Sequence, residues 1–274
     1  MADPDWLRLN RANWDERVPV HRALPGYSRD SLRDGGARLN AIEEAELGPV
    51  AGLRVLHLQC HFGRDSLILA GRGAEVTGVD FSPPAIAAAR EDAADLGLPA
   101  RFVLADVYSA PEALPEPASF DLVYTTWGTI CWHPDLGRWA RTIAHFLRPG
   151  GRLYFADMHP VGLVLGDDAP GLEGRPGWHV PYFDGADLVF DDPRDYADPE
   201  ARLANARTIE FLHPLASILD ALMQASLRLD WLHEHPRLAW RAFQCLVQDS
   251  EGSWTWPDRP WFPLALSLSM HKVG

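Results

Sequence analysis

Between residues 53 and 157 the chain alternates short apolar runs with helix-like stretches. The runs are RVLHL (54–58), EVTGVD (75–80), RFVLAD (101–106), FDLVYT (120–125) and RLYFAD (152–157), and four of the five end on or beside an Asp or a small polar residue. This spacing predicts βαβ units and a mainly parallel sheet. Between the second and third runs, Ser82 suits an N-cap, Pro83 suits the first helical position, and AIAAAREDAADL is rich in helix formers up to Gly97. Ahead of the fifth run, Leu136, Trp139, Ile143 and Phe146/Leu147 share one helical face, and RPGG stops the helix.

After residue 157 the alternation breaks. Residues 159–210 carry many Gly, Pro and Asp, which predicts an irregular surface excursion near a ligand. Leu215, Ile218, Leu219 and Leu222 predict a helix at about 214–226, followed by strands near RLDWLHEH (228–235) and LALSLSMH (264–271). The first 50 residues predict two short helices joined by ALPGYS, ahead of the first strand and outside the βαβ core.

With 274 residues, 47% of them hydrophobic and 23% charged, the chain can bury a substantial core. No apolar run approaches the roughly 20 residues that span a bilayer, and MADPDWLRLN lacks the basic and apolar regions of a signal peptide. A cytoplasmic location and no membrane partner are therefore expected. The three cysteines, Cys60, Cys131 and Cys245, are widely spaced and odd in number, which suits reduced thiols rather than a disulfide framework. A formal charge of −13 argues against a polyanionic partner, so no nucleic acid is expected. Eleven Trp is unusual, and WTWPDRPWF (254–262) reads either as a pocket rim or as an oligomer contact, which leaves a homodimer open.

The chemistry concentrates in HLQCHFG (57–63). His57, Cys60 and His61 suggest a metal, but a structural zinc needs about four ligands and no second cluster accompanies them. In an open α/β sheet the ligand lies beyond the carboxyl ends of the strands. Asp80 follows Gln59 by 21 positions, close to the spacing at which a carboxylate receives ribose hydroxyls. A dinucleotide site also needs G-x-G-x-x-G, and here Gln59 and His61 replace the first two glycines, leaving Gly63. NAD or FAD is thereby disfavoured, while a nucleoside without a pyrophosphate remains open.

The stretch VLHLQCHFGRDSLILAGRGAEVTGVDFSPPAI resembles the nucleotide-binding half of class I S-adenosylmethionine-dependent methyltransferases, whose pattern is roughly VLDLGCGxGxxSLxLAxxG…VxGVDxSxxxI. LADV, FDLVYTTWG and LRPGGRLYF resemble the family's later motifs, in order and at the right spacing. His57 stands at the usual acidic position, and Gln59 and His61 at the usual glycines. The chain is also similar to a bacterial branch that pairs HLQCHxGxDS with an N-terminal NxANWDERVxxH, here Asn10 to His21.

The resemblance implies an α/β, Rossmann-like, seven-stranded, mainly parallel sheet with an antiparallel last strand and helices on both faces. Residues 1–50 would be an N-terminal helical lid and 51–274 the methyltransferase domain, with the insertion at about 159–210 on the substrate side. The implied cofactor is S-adenosyl-L-methionine, released as S-adenosyl-L-homocysteine. Asp80 would take the ribose hydroxyls, with Phe81 and Ser82 beside it. Asp106 would face the adenine amino group, Val107 the ring, and Gly63 the methionine part. His57, Gln59, His61 and Thr125 would line the same site. Trp14 and Tyr27, with His21, would close it from the lid, or would equally be the stripe that docks those helices. Trp127 and Trp132 would be substrate-pocket walls or core, and His159 and His133 candidate general bases, with His213 a third. No metal is implied. The expected activity is methyl transfer to the O or N of a small molecule by in-line displacement. Methylation of a macromolecule is a weaker reading, because the charge is −13 and TTWG stands where an (Asp/Asn)-Pro-Pro-aromatic motif would be. Cofactor binding without catalysis is a rival from another class.

Overall fold

The computed structural model describes residues 4–27, 29–167, 171, 174–183, 185, 187–198 and 200–274. Strands β1 (Arg54–Leu58), β2 (Glu75–Asp80), β3 (Ala100–Leu104), β4 (Phe120–Thr126) and β5 (Leu147–Met158) run parallel to one another. Two further long strands lie outside the first five in the chain. The pair β6 (Asp187–Asp191) and β7 (Arg207–Phe211) forms its own small antiparallel sheet. β8 (Leu227–His235) and β9 (Ala265–Lys272) complete the main sheet, whose seven strands follow the order β8-β9-β5-β4-β1-β2-β3. β9, last in the chain, is antiparallel to both its neighbours, as expected from sequence.

Helices cover both faces of this sheet, so most inner strand positions are buried and read as apolar runs. On one face α6 (Leu136–Phe146) and α7 (Leu215–Gln224) pack Trp139, Ile143, Ile218 and Leu222 against Leu56, Leu58 and Phe155. On the other, α3 (Ala41–Glu46), α4 (Arg64–Gly71) and α5 (Pro83–Leu96) cover Val55, Leu122, Tyr124 and Phe102. Ser82 caps α5 by accepting from Ala85 N at 3.3 Å, and Gly97 ends it in the left-handed conformation at φ 63°.

The N-terminal segment corrects the sequence reading. In place of two short helices, α1 (Asp5–Arg22) is one helix of 18 residues that continues through Pro19, followed by α2 (Arg29–Arg33) and α3. ALPGYS is a link holding one 3-10 turn, Pro25–Tyr27, and its Ser28 lies outside the described residues. Apolar periodicity missed α1 because the helix buries polar groups. Asn10 and Asn13 are 1% and 0% exposed. Asn10 pairs with both backbone groups of Ile209 at 2.8 Å, Asn13 donates to Asn205 O at 2.7 Å, and Glu16 accepts from Ala204 N at 2.7 Å. The partners lie in the excursion after residue 159, so α1 and the β6–β7 region fold as one clasp.

Candidate active site

A cavity of about 1170 Å³ runs along the carboxyl ends of the five parallel strands, beneath α1 and the excursion. Its floor begins with the loop after β1. Gln59 and His61 adopt φ 58° and 50°, the left-handed region that glycine enters freely. For other residues this conformation costs about 1–2 kcal/mol, so the surroundings must impose it.

The restraints are visible. The Asp80 carboxylate at the tip of β2 accepts from His61 N at 2.8 Å through Oδ2 and from Ser82 N at 2.9 Å through Oδ1. Gln59 Nε2 donates to Thr129 O at 3.0 Å, which turns its Oε1 toward His133 Nε2 at 2.8 Å. That orientation makes His133 Nε2 the protonated, donating nitrogen. The Gln59 side chain, standing where the family has a glycine, therefore ties this loop to the loop after β4. Burial pushes Asp80 up to about 6, against the backbone N–H groups of Ser82, His61 and Phe81 that favour its charge, and the nearby Asp15 adds to the rise.

His61 is held from above by α1. Its ring stacks on His21 at a centroid distance of 5.3 Å, and Trp14 meets it edge-on at 5.3 Å. Trp14 also meets Trp132 at 5.6 Å, and His21 stacks on Tyr27 at 5.5 Å. His21 Nε2 lies 3.1 Å from the buried Asp195 carboxylate, which also accepts from Arg17 at 2.8 Å. Burial raises Asp195, but the hydrogen bonds and charges of His21, Ala197 N and Arg17 prevail and hold it down at about 2.

The loop after β4 is built on Asp157, whose carboxylate accepts from Gly128 N, Thr129 N and Ile130 N at 2.7–3.0 Å. Trp127 sits just before it at φ 57°, another strained non-glycine position. Its Nε1 donates to Glu43 Oε2 at 2.6 Å. Glu43 is 1% exposed and also accepts from Tyr124 Oη and from Asn40 N. Burial, with Asp65 nearby, pushes its carboxyl up to about 8 despite those donors.

Most residues expected at the site line this cavity. From α1 and the link come Trp14 and Tyr27, and from the β1 loop His57, Gln59 and His61. Asp80 and Phe81 follow β2, Asp106 and Val107 follow β3, and Trp127, Trp132 and His133 follow β4. His57 lies on the sheet face that carries Tyr124, and its Nδ1 pairs with Ser66 Oγ at 2.8 Å. Asp106 Oδ1 accepts from Tyr108 N at 2.8 Å, closing the turn after β3.

Five expected residues do not line it. Gly63 serves packing, since a Cβ there would meet the Phe102 ring at 2.6 Å and Ala89 at 2.9 Å, and its φ is +77°. Ser82 is buried as the cap of α5, its hydroxyl donating to Asp15 Oδ1 at 2.5 Å. Thr125 alternates onto the opposite face of β4, and the neighbouring Thr126 reaches the cavity instead. His159 turns its ring toward Glu234, with Nε2 3.0 Å from Oε1, while Nδ1 accepts from Val161 N. His213 is likewise outside, paired with His133 O at 2.6 Å. His133 stays in the lining, but burial, aided by His213, drives its ring down to about 3, so it is a weak base.

Sequence reasoning missed Glu43, Asp157 and the Arg17–Asp195 pair. Asn40 and Glu43 are visible as a capping box, but that pattern announces a helix start and no chemistry.

A family model described as Methyltransferase domain matches residues 55–151. A ubiquinone biosynthesis O-methyltransferase from Methylobacterium sp. is 33% identical over 178 residues, 62% of this chain and 68% of that protein. An S-adenosylmethionine-dependent methyltransferase from Mesorhizobium loti superimposes with a TM-score of 0.58 at 23% identity, covering 84% of this chain and 96% of that one. A 1,6-didemethyltoxoflavin-N1-methyltransferase from Burkholderia thailandensis gives 0.56 at 17% identity, over 100% and 92%. The chain belongs to the class I S-adenosylmethionine-dependent methyltransferase family. Several curated relatives are matched over only about half of their own length, 56%, 55% and 54% in three cases.

Proposed function

We propose that the protein transfers a methyl group from S-adenosylmethionine to a small-molecule acceptor. The observation that carries this reading is the buried Asp80 carboxylate at the tip of β2. Each of its oxygens takes one backbone N–H and keeps further acceptor capacity toward the cavity, which suits the hydroxyl pair of a ribose. Two orphaned groups beside it support a polar ligand. Both ring nitrogens of His61 and the Nε of Arg64 are buried without partners while their residues line the cavity. An unsatisfied buried group costs about 1–3 kcal/mol, which a ligand of matching polarity would relieve. The guanidinium of Arg64 fits the carboxylate of a methionyl part, and Asp106 with Val107 fits an adenine. A dinucleotide does not fit, because the Gln59 and His61 side chains occupy the place where a pyrophosphate needs bare backbone.

When bound, S-adenosylmethionine supplies an electrophilic methyl group on a sulfonium. The chain's own contribution is to fix the acceptor in line with that methyl and to exclude water. α1 acts as the lid, with Trp14 and His21 closing over His61 and the Arg17–Asp195 pair fastening helix to excursion. The NRANWDERVPVH and HLQCHFG motifs thus meet through stacked rings, which supports the branch in which they occur together. The O-methyltransferase name of the Methylobacterium relative and the 1,6-didemethyltoxoflavin named for the Burkholderia neighbour agree with a small-molecule acceptor.

Calorimetry with S-adenosylmethionine and with S-adenosylhomocysteine tests the reading. One site per chain is the expected result. No heat at high micromolar ligand would overturn it, and binding without turnover across an acceptor panel would favour a non-catalytic role.

A further inference from the structure

Resting on the methyltransferase reading, we propose that Glu43 is the general base of the reaction and that the acceptor is a phenol whose hydroxyl proton passes to the Glu43 carboxylate. The expected bases of histidine type are disqualified by position: His159 is outside the cavity, and His133 spends Nε2 on Gln59. Glu43 instead lines the cavity next to Trp127, whose indole lies edge-on to Trp240 with centroids 6.2 Å apart.

The hydrogen-bond count leaves it capacity. A carboxylate offers about four acceptor positions. Asn40 N and Trp127 Nε1 use two at Oε2, and Tyr124 Oη uses one at Oε1. The position left on Oε1 is free for a proton. The strained φ of Trp127 points the same way, because its indole bond to Glu43 holds both side chains at the cavity wall.

The charged groups around Glu43 come from several elements. Asp65 of α4 adds negative charge, and Tyr124 of β4 and Tyr154 of β5 are neutral donors nearby. Arg38, Arg64 and Arg241 line the same cavity. Asp65, Asp157, Asp167 and Glu251 line it as well, so the choice of a phenol follows from the apolar wall beside Glu43. Trp127, Trp240 and Met158 supply apolar wall for an aromatic ring. In the transfer, the acceptor oxygen gains the methyl carbon as its O–H proton moves to Glu43. The electron pair of the broken methyl–sulfur bond stays on sulfur, leaving an aryl methyl ether, a neutral thioether and a protonated Glu43. A carboxyl already raised to about 8 by burial is matched to a phenolic proton near neutral pH.

The test has two arms on the intact chain. Difference infrared spectroscopy on the wild type should reveal a carboxyl band that titrates near 8 and disappears in Glu43→Gln. Radiolabelled methyl transfer is then followed with phenol, catechol and a 4-alkylphenol. The pH profile of kcat should rise through the same region, and Glu43→Gln should lose about 100-fold in kcat and the alkaline rise, with S-adenosylmethionine affinity within about twofold of wild type by calorimetry. Tyr124→Phe, which removes a donor to the charged form, should move the rise to higher pH, a change that a purely structural glutamate would not produce. Failure of the wild type to bind S-adenosylmethionine would strike the methyltransferase reading itself. Binding with no phenol methylated would overturn the acceptor class. An unchanged profile in Glu43→Gln, or no titrating band in the wild type, would overturn the role of Glu43.

Discussion

The two ends of the cavity are built in opposite ways. At the β1–β2 end, Gln59, His61 and Asp80 lie within 21 positions, and the Asp80 carboxylate accepts directly from His61 N and Ser82 N. At the far end, Glu43, Trp127 and Trp240 come from segments spread over nearly 200 residues and meet only through side chains. The first end is mostly local geometry, joined by the Asp80 carboxylate where β1 and β2 pair, with Thr129 and the rings of α1 bracing it. The second depends on where α3, the β4 loop and the late segment come to rest. On the proposed reading, the near end serves the cofactor that the family shares and the far end the individual acceptor.

Removing Asp80 should break the near end most severely. Asp80→Ala deletes the acceptor of two loop N–H groups and, on the proposed reading, of the ribose, and cofactor affinity by calorimetry should fall about 100-fold, or about 2.7 kcal/mol. Unchanged affinity would mean the nucleoside lies elsewhere. Gly63→Ala should separate folding from binding. Overpacking against Phe102 and Ala89, plus the positive φ, should cost about 2–3 kcal/mol and lower the melting temperature by several degrees. Cofactor affinity, measured well below that temperature, should hold, and a binding loss without a stability loss would restore Gly63 to the site.

Arg17→Ala tests the clasp. Losing its bonds to Asp195 and Asn13, worth about 1–2 kcal/mol together, should speed cofactor dissociation about 5-fold in stopped-flow experiments. The pH dependence is gentler. Asp80 accepts hydroxyls best as a carboxylate and is raised to about 6, so protonation competes with binding and affinity should weaken as pH falls through 6. A flat titration across that range would remove Asp80 from the ribose. Gln59→Gly should change least. Relief of about 1 kcal/mol of left-handed strain offsets the loss of the bonds to Thr129 and His133, leaving stability within about 1 kcal/mol.

Legibility followed the same division. The βαβ alternation, the cap at Ser82 and the Asp80 spacing are short-range patterns, and the sheet, its antiparallel last strand and most of the near end could be read from them. α1 could not, because Asn10, Asn13 and Glu16 are polar on its buried side and their partners are backbone groups about 190 residues away. Thr125 and Ser82 were misplaced by one step of alternation and by one cap, distinctions that depend on which face a residue takes. Glu43 was hidden because burial turns an ordinary capping glutamate into a carboxyl near 8, and burial at that position is decided by Tyr124 and Trp127, about 80 residues on.

The most direct measurement is a crystal structure of the wild type with S-adenosylhomocysteine. The ribose hydroxyls should lie about 2.6–3.0 Å from the Asp80 carboxylate, with the thioether sulfur directed toward the Trp127 end of the cavity. A nucleoside bound away from Asp80, or a sulfur turned from Trp127, would contradict the assignment of both ends.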